Sequence, residues 1–511
     1  MKLFWWIKEI NVYQLVLLDL KELVYIIYHQ YIYVIMLSTK LLFILLLLSL
    51  SSCTVHSITC TITTEDNSLQ LSNTCEIPSK TANTKKNPSA NWEIHVDDSK
   101  YLQTIRGFGA AWTDATVNVF DTLSSTNASN LMKDLFDPTN QNGIKLSLMR
   151  HTVGQSDLTP SSLGQWSYDE NGGRPDDSKL SHFGLTDPGN RMVDWITKMY
   201  SYNPNITLFG SVWSPPTWMK YNENNTLIPK LYSSWVEYML KYLQAFKDKG
   251  VDVDGITLQN EPLHSGDPAW TTSMSAKVQV ELANLILPKL GKTKIYAYDH
   301  NTDRPDYPQY VIDNTNITTV AWHCYAGALN NEERWSPLSK FRIKNPDIEQ
   351  IMTECWTHLN TGEHFFDLST FISRPVTHGA SGALAWTLGG STRYDVSFND
   401  GCKQCSGLVQ IDRETGEVFK TSDYYTIGQF SKFVSPGDRV YNVTVGNWDY
   451  FDGTGVHTNV FDVQGEGNQI IIVIQNLIHN DLMIQVNFDS RNISYLGKVP
   501  GRSIVTWTVE V

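Results

Sequence analysis

The chain lacks the signatures of several large enzyme classes. Its 511 residues contain no G-x-G-x-x-G and no P-loop, so the usual phosphate cradles are missing. There is no G-x-S-x-G, which removes the strand-to-helix elbow of serine hydrolases. His358 and His364 stand in "THLNTGEH" without metalloprotease spacing and read as loop residues. Charge is sparse at 18% and of the wrong sign for polyanions: the net value of −13 argues against nucleic acid or an anionic membrane surface as partner. Cysteines number only seven. "CKQC" at Cys402 and Cys405 is either a local bridge or half a zinc site, and no second Cys/His pair lies at suitable spacing, so a bridge is preferred. No metal or organic cofactor is expected.

What is abundant is aromatic: 12% of residues, with 16 Trp and 24 Tyr. Such rings stack on sugar faces, and they also fill cores. Near the N-terminus, Met36-Leu-Ser-Thr-Lys40 followed by "LLFILLLLSLSS" has the basic and apolar regions of a secretory signal, over 36–57. Its apolar run is short for a stable membrane span. Residues 1–35 then form a doubtful extension upstream, with a signal anchor as the rival reading. Without residues 1–57 the net charge is about −14, so the conclusion on partners stands. Six N-x-[ST] sequons, at Asn127, Asn205, Asn224, Asn316, Asn442 and Asn492, agree with export to the extracellular space or a lysosome-like compartment. Cys60 and Cys75 are candidates for a second disulfide in that oxidising setting.

A polar segment, 58–91, precedes "WEIHVDD", which is expected to join a C-terminal sheet as a strand over 92–104. Between 105 and 420 short apolar runs alternate with amphipathic helices. Ser234 and Glu237 form a capping box before a helix with Trp235, Met239, Leu243 and Phe246 on one stripe and Gly250 as its stop. A later helix places Val278, Leu282, Leu285 and Ile286 on one face. Eight candidate strands, "IRGFGAAW", "IKLSLMRH", "ITLFGSVW", "VDGITLQN", "KIYAYDHN", "TVAWHCYA", "EQIMTECW" and "SGALAWTLG", point to a (β/α)8 TIM barrel, class α/β. A doubly wound sheet is the rival. From 421 to 511 alternating strands with Gly/Asn/Asp turns read as an appended β-sandwich.

In such a barrel, chemistry sits where the strands end. The polar residues there are Arg150, Trp213, Asn260, Glu261, Asp299, His323, Tyr325, Glu354, Trp356 and Trp386. Glu261 ends the fourth strand and Glu354 the seventh, and those strands face each other across the mouth. An isolated strand-end Glu is usually solvated or salt-bridged. A converging pair suits glycoside hydrolysis, in which one carboxyl is protonated and the other ionised. Asn260 is placed to bond a sugar 2-OH, and Arg150 to hold Glu354 ionised. His323 and Tyr325 orient and donate, and Trp213, Trp356 and Trp386 form the pocket's sides.

Nine ordered stretches, "GFGAAWTDA", "SLMRHTVGQSDL", "GSVWSPPTWMK", "TLQNEP", "AYDHN", "AWHCYA", "MTECW", "GALAWTLGG" and "IGQFSKFVSPG", resemble glycoside hydrolase family 30 from about Trp92 to Val511. The resemblance implies a retaining mechanism with Glu261 as acid/base and Glu354 as nucleophile. It also implies that Arg150, Asp157, Trp213, Asn260, His323, Tyr325 and Trp386 are subsite residues. "LQNEPL", "TECW" and the "CKQCSGLV" loop look closer to the fungal-type endo-β-1,6-glucanases of that family than to its glucosylceramidases. A β-glucan or β-glucoside is then the expected substrate. The rival of another class is a carbohydrate-binding protein without catalysis, which would have no need of the carboxylate pair.

Overall fold

The computed structural model describes residues 58–510, apart from 171–176, 222–223, 265, 267–269, 327–330, 357–366, 398–400, 404, 450–454 and 465–467. Of the first 57 residues it describes Tyr25, Tyr28, His29 and Met36. The expected signal and extension therefore lie almost wholly outside the described residues, as do His358 and His364. Met1–Ser57 and Ile58–Val511 are separate units. Among the described residues, no helix is long and apolar enough to cross a membrane.

Three strands come first: β1 (Thr59–Thr64), β2 (Ser79–Thr81) and β3 (Trp92–Thr104). Eight parallel strands then close into a barrel. They are β4 (Gly107–Trp112), β5 (Leu148–Val153), β6 (Thr207–Val212), β7 (Gly255–Thr257), β8 (Lys294–Asn301), β9 (Thr319–His323), β10 (Glu349–Trp356) and β11 (Ala380–Trp386). Each falls within or against one of the eight runs expected from the sequence. The open-sheet alternative is excluded, because β11 pairs with β4 and leaves no edge.

The helices between these strands lie outside the barrel. They are α1 (Asp114–Phe120), α2 (Ser125–Phe136), α3 (Thr186–Tyr202), α4 (Tyr232–Asp248), α5 (Ala276–Ile286), α6 (Asp306–Asp313), α7 (Asn331–Lys344) and α8 (Asp367–Thr377). Leu148, Phe209, Tyr296, Ala321, Ile351 and Leu384, from six different strands, form a closed apolar cluster. Phe209 and Tyr296 stack there with centroids 5.2 Å apart. Gly255 makes room for them, since a Cβ at that position would meet the Tyr296 ring at 2.5 Å. The interior is thus packed, and it forms a rigid floor under the strand ends.

Two local expectations are corrected. Ser234 is no N-cap: α4 begins earlier, at Tyr232, on a preceding 3-10 turn (Pro229–Leu231). The Ser234 hydroxyl instead donates to the Ser178 carbonyl at 3.0 Å, and Glu237 pairs with Lys289. Gly250 does stop the chain there, at φ +84°. On α5 the buried stripe is Gln279, Leu282, Ala283 and Ile286, while Leu285 is exposed. The helix is turned so that the Gln279 Oε1 accepts the Tyr298 N–H inside the packing layer (2.9 Å). A hydrophobic periodicity cannot foresee a buried polar anchor of that kind.

After β11 a small sheet forms from β12 (Gly389–Ser391), β13 (Val409–Ile411) and β14 (Val418–Lys420), followed by α9 (Ser422–Ser431). The remaining strands are β15 (Arg439–Val445), β16 (Trp448–Asp449), β17 (Gly455–Asp462), β18 (Gln469–Asn476), β19 (Leu482–Phe488), β20 (Ile493–Val499) and β21 (Ser503–Glu510). They join the first three in one sheet, β1-β21-β18-β17-β15-β3-β19-β20-β2, with β16 on β17. Segment 58–91, read as merely polar, thus contributes two strands, and "ISYLGKV" (β20) was not foreseen.

Alternation explains how this sheet encloses a core and also meets the barrel. Ile470, Ile472 and Ile474 of β18 pack with Ile484 and Val486 of β19 and Trp507 of β21. Ile471 and Val473, on the opposite face, belong to the barrel's hydrophobic cluster. Cys60 pairs with Cys75 and Cys402 with Cys405. Cys324 and Cys355 are free and buried. Of the sequon asparagines, Asn205, Asn224, Asn316 and Asn492 are exposed, and Asn127 and Asn442 are partly buried.

Candidate active site

Parallel strands deliver their last residues to one end of the barrel, and there the polar residues converge. Arg150 on β5 is fully buried. Its Nη1 donates to Glu354 Oε2, and its Nη2 reaches Ser211 Oγ (3.1 Å), Asn260 Oδ1 (2.6 Å) and Asp299 Oδ2 (2.8 Å). Asp299, on β8, also accepts the hydroxyls of Ser211 (2.7 Å), Thr257 (2.6 Å) and Thr353 (2.6 Å). His323 Nε2 bonds Asp299 Oδ1 at 3.0 Å, and its Nδ1 faces Glu261 Oε1 at 3.1 Å. Tyr325 donates its phenolic O–H to Glu354 Oε1 (3.1 Å).

Glu261 sits just past β7, at φ 45°. That left-handed conformation is unfavourable for a side chain with a Cβ, and doubly so before Pro262. It is held by three bonds. Asn260 N–H donates to Val212 O (2.6 Å), Glu261 N–H to Asp299 O (3.0 Å), and Gln259 Nε2 to Trp213 O (2.7 Å). The strain turns the Glu261 carboxyl inward instead of along the exiting chain. One oxygen of Glu261, one of Glu354 and one nitrogen of His323 all lie within 4.8 Å of one another.

Trp213 and Trp386 stack with centroids 4.9 Å apart, and the Arg150 guanidinium lies 4.6 Å from the Trp213 centroid. Trp356 ends β10 in register with Trp386, and its side chain is outside the described residues. Asp157 lies in the loop after β5, half-buried and close enough to feel both catalytic-candidate carboxylates.

The electrostatics follow from those contacts. Burial would strip His323 of its proton, but Glu354, Asp299 and Glu261 outweigh it and push the imidazole up to about 10. Asp299 is driven well below the carboxylate range despite its burial, by Arg150 and His323. Burial and the Glu261 charge raise Glu354 against the pull of His323 and Arg150. In Glu261 burial is overcome by the His323 hydrogen bond and the charges of His323, His300 and His264, which bring it to about 2. Burial, then Glu354 and Glu261, push Asp157 up to about 7. An imidazolium has no lone pair for a metal, so the Glu261–His323–Glu354 group works as an ion-paired proton site.

Asp299 was named from the sequence as a strand-end residue without a role, and it turns out to tie the network together. Ser211, Thr257 and Thr353 were not foreseen. The signal for the first two was present: Ser211 and Thr257 are register partners on neighbouring strands, one hydroxyl layer below the carboxylates.

A closed barrel with two carboxyls meeting at its strand ends defines a glycoside-hydrolase type of site. The model for the glycosyl hydrolase family 30 TIM-barrel domain matches residues 105–290. An endo-1,6-β-D-glucanase of Neurospora crassa is 38% identical over 82% of this chain and 89% of its own. Putative glucosylceramidase 3 of Caenorhabditis elegans is 26% identical over 83% of each. The solved structure of an endo-β1,6-glucanase superposes with a TM-score of 0.75 at 22% identity, covering 89% of this chain and 99% of that one; it speaks for the fold alone. The chain belongs to glycoside hydrolase family 30. It is a glycosidase.

Asp299→Asn removes one of the counter-charges shared by two buried cations, Arg150 and His323. It is expected to cost about 3–5 kcal/mol of unfolding free energy in a denaturant titration, together with most of the activity. For Asp157, pH is the probe. The side chain is neutral below about 7 and charged above it, so rising pH adds a third negative charge beside Glu261 and Glu354. We expect kcat/KM to fall as pH rises through that value, and the Asp157→Asn profile to lack the fall.

Proposed function

We propose that this glycosidase is a retaining endo-β-1,6-glucanase in which Glu261 is the acid/base and Glu354 the nucleophile. The observation that carries the mechanism is the approach of the Glu261 and Glu354 oxygens to within 4.8 Å. Retaining pairs have carboxyls ~5–5.5 Å apart, whereas inverting pairs leave ~6.5–9.5 Å for a water molecule. The linkage rests on the endo-1,6-β-glucanases at 37–38% identity, against 23–26% for the glucosylceramidases.

The roles follow from the donors. Arg150 and Tyr325 both donate to Glu354, which aligns its oxygens and supports negative charge there during attack on the anomeric carbon. Glu261 receives no such clamp. Its partner is His323 Nδ1, and the proton in that 3.1 Å contact can reside on either atom. With the proton on nitrogen the pair is charged, as in the free enzyme. With it on oxygen, Glu261 is a carboxylic acid ready to protonate the leaving-group oxygen, and His323 keeps its Nε2–H bond to Asp299. A sugar that displaces water favours the neutral arrangement, because a low-dielectric site penalises separated charge. In the second half-reaction the Glu261 carboxylate takes a proton from water as that water attacks the glycosyl–Glu354 ester.

Trp213 and Trp386 offer apolar faces to the sugar, and Asn260, already bonded through its Oδ1 to Arg150, presents its NH2 to a 2-OH. The glucosylceramidase reading ranks second on identity. Export through the 36–57 segment is part of the same proposal. It is supported by two disulfides and four exposed sequon asparagines.

The wild type should cleave a β-1,6-glucan and leave glucosylceramide intact, with the β-anomer as the first product in proton NMR. Glu354→Gln should lower kcat by about four orders of magnitude with thermal unfolding unchanged. An initial α-anomer would refute retention, and cleavage of the lipid alone would transfer the substrate assignment to the second reading.

A further inference from the structure

A second cluster of ligating side chains lies outside the catalytic network, in the long loop between β5 and α3. Asp169 is 2% exposed, and neither of its carboxylate oxygens has a hydrogen-bond partner among the described residues. No Lys or Arg makes an ion pair with it among those residues either. One of its oxygens, one of Asp177 and one nitrogen of His182 all lie within 4.8 Å of one another. The adjoining Glu170 has an unpartnered Oε1, and its other oxygen accepts the Thr217 hydroxyl (2.7 Å). A carboxylate hidden from water without a donor costs several kcal/mol, and a second carboxylate beside it adds to that cost.

Three ways of relieving this cost can be compared. Protonating Asp169 neutralises it but leaves a buried O–H without an acceptor and a buried C=O without a donor. The Asp169 backbone is held at both ends, since its carbonyl accepts the Trp218 Nε1–H (2.7 Å) and its N–H donates to Ser167 Oγ (3.2 Å), so carrying the carboxylate out to solvent by a backbone shift would break both bonds. A cation satisfies both oxygens at once and uses the neighbouring donors.

We infer that Asp169, Asp177 and His182 bind a divalent first-row cation of the Zn2+ or Mn2+ class. The donor set decides the class. Two carboxylates and one imidazole match the O/N preference of these ions, while Ca2+ takes 6–8 oxygens. Asp177 is already oriented, with Ser181 Oγ on one oxygen (2.7 Å) and the His182 N–H on the other (2.8 Å). His182 Nδ1 lies 2.7 Å from the same Asp177 oxygen, a hydrogen bond that an ion binding between the two groups would have to open. Its side chain is 58% exposed, so it can turn to give its lone pair, and water completes the coordination. Through Trp218 and Thr217 the ion would brace the loop that follows Trp213.

The test is calorimetric titration of the chelator-treated full chain at pH 7 with ZnCl2 and, separately, MnCl2, paired with thermal unfolding. One equivalent of at least one ion is expected to bind and to raise Tm. Asp169→Asn should abolish that binding, and His182→Ala, at an exposed position that folding does not depend on, should weaken it at least tenfold. Should Asp169→Asn fail to fold, His182→Ala decides alone. No saturable binding of either ion, or binding that survives His182→Ala unchanged, would overturn the inference.

Discussion

One buried carboxylate makes the active site possible. Asp299 accepts hydrogen bonds from Arg150, His323, Ser211, Thr257 and Thr353, so strands β5, β6, β7, β9 and β10 are all tied to β8 through a single side chain. Without it Arg150 would keep only Glu354 and His323 only the two glutamates as counter-charges, and five buried donors would lose their common acceptor. The backbone yields to provide it. Tyr298 and Asp299 adopt φ of 77° and 66°, and the β8–β9 register shifts between Tyr298 and His300. A bulge of this kind turns a side chain that would otherwise follow the strand's alternation, and it often marks a working site.

That network also places charge in advance of the reaction. Arg150, His323, Asp299, Glu261 and Glu354 together carry one uncompensated negative charge when all are ionised. Moving the shared proton from His323 to Glu261 leaves that sum unchanged while removing two charges from the site. The field that supports negative charge on Glu354 therefore comes from donors already held by bonds made elsewhere, so little reorganisation is required when the sugar arrives. The stacked Trp213 and Trp386 cover the Arg150 guanidinium and keep water from diluting that field.

The β-sheet unit reinforces the same side of the barrel. Asn459 on β17 donates to the Ser373 carbonyl and to Thr377 Oγ1 on α8, both at 3.0 Å. Thr506 on β21 donates to Gln429 on α9, and Gln429 Nε2 reaches Thr63 on β1 at 2.8 Å. Since α8 follows the strand that carries Glu354, the sheet holds the helix that backs that strand. Buried amide bonds of this sort are directional, and they fix orientation where apolar contact alone would allow sliding.

The sequence by itself determined the eight strand cores, because parallel strands buried on both faces must be written as apolar runs bounded by breakers, and such runs are local. It also determined which residues stand at their ends, so Glu261, Glu354, Arg150, Asn260, His323 and Tyr325 were legible from position and chemical type. Helix ends were less so: Ser234 carries a capping pattern and sits inside α4, because a preceding turn starts the helix first. Only the tertiary structure decided that Asp299 is the common acceptor, that His323 bridges it to Glu261, and that Asp169 is left in a dry place beside Asp177. Each of these depends on how strands and loops distant in the chain are brought into register. Distances across a closed barrel are set by closure and by a bulge, and neither is written in the local alternation of apolar and polar residues.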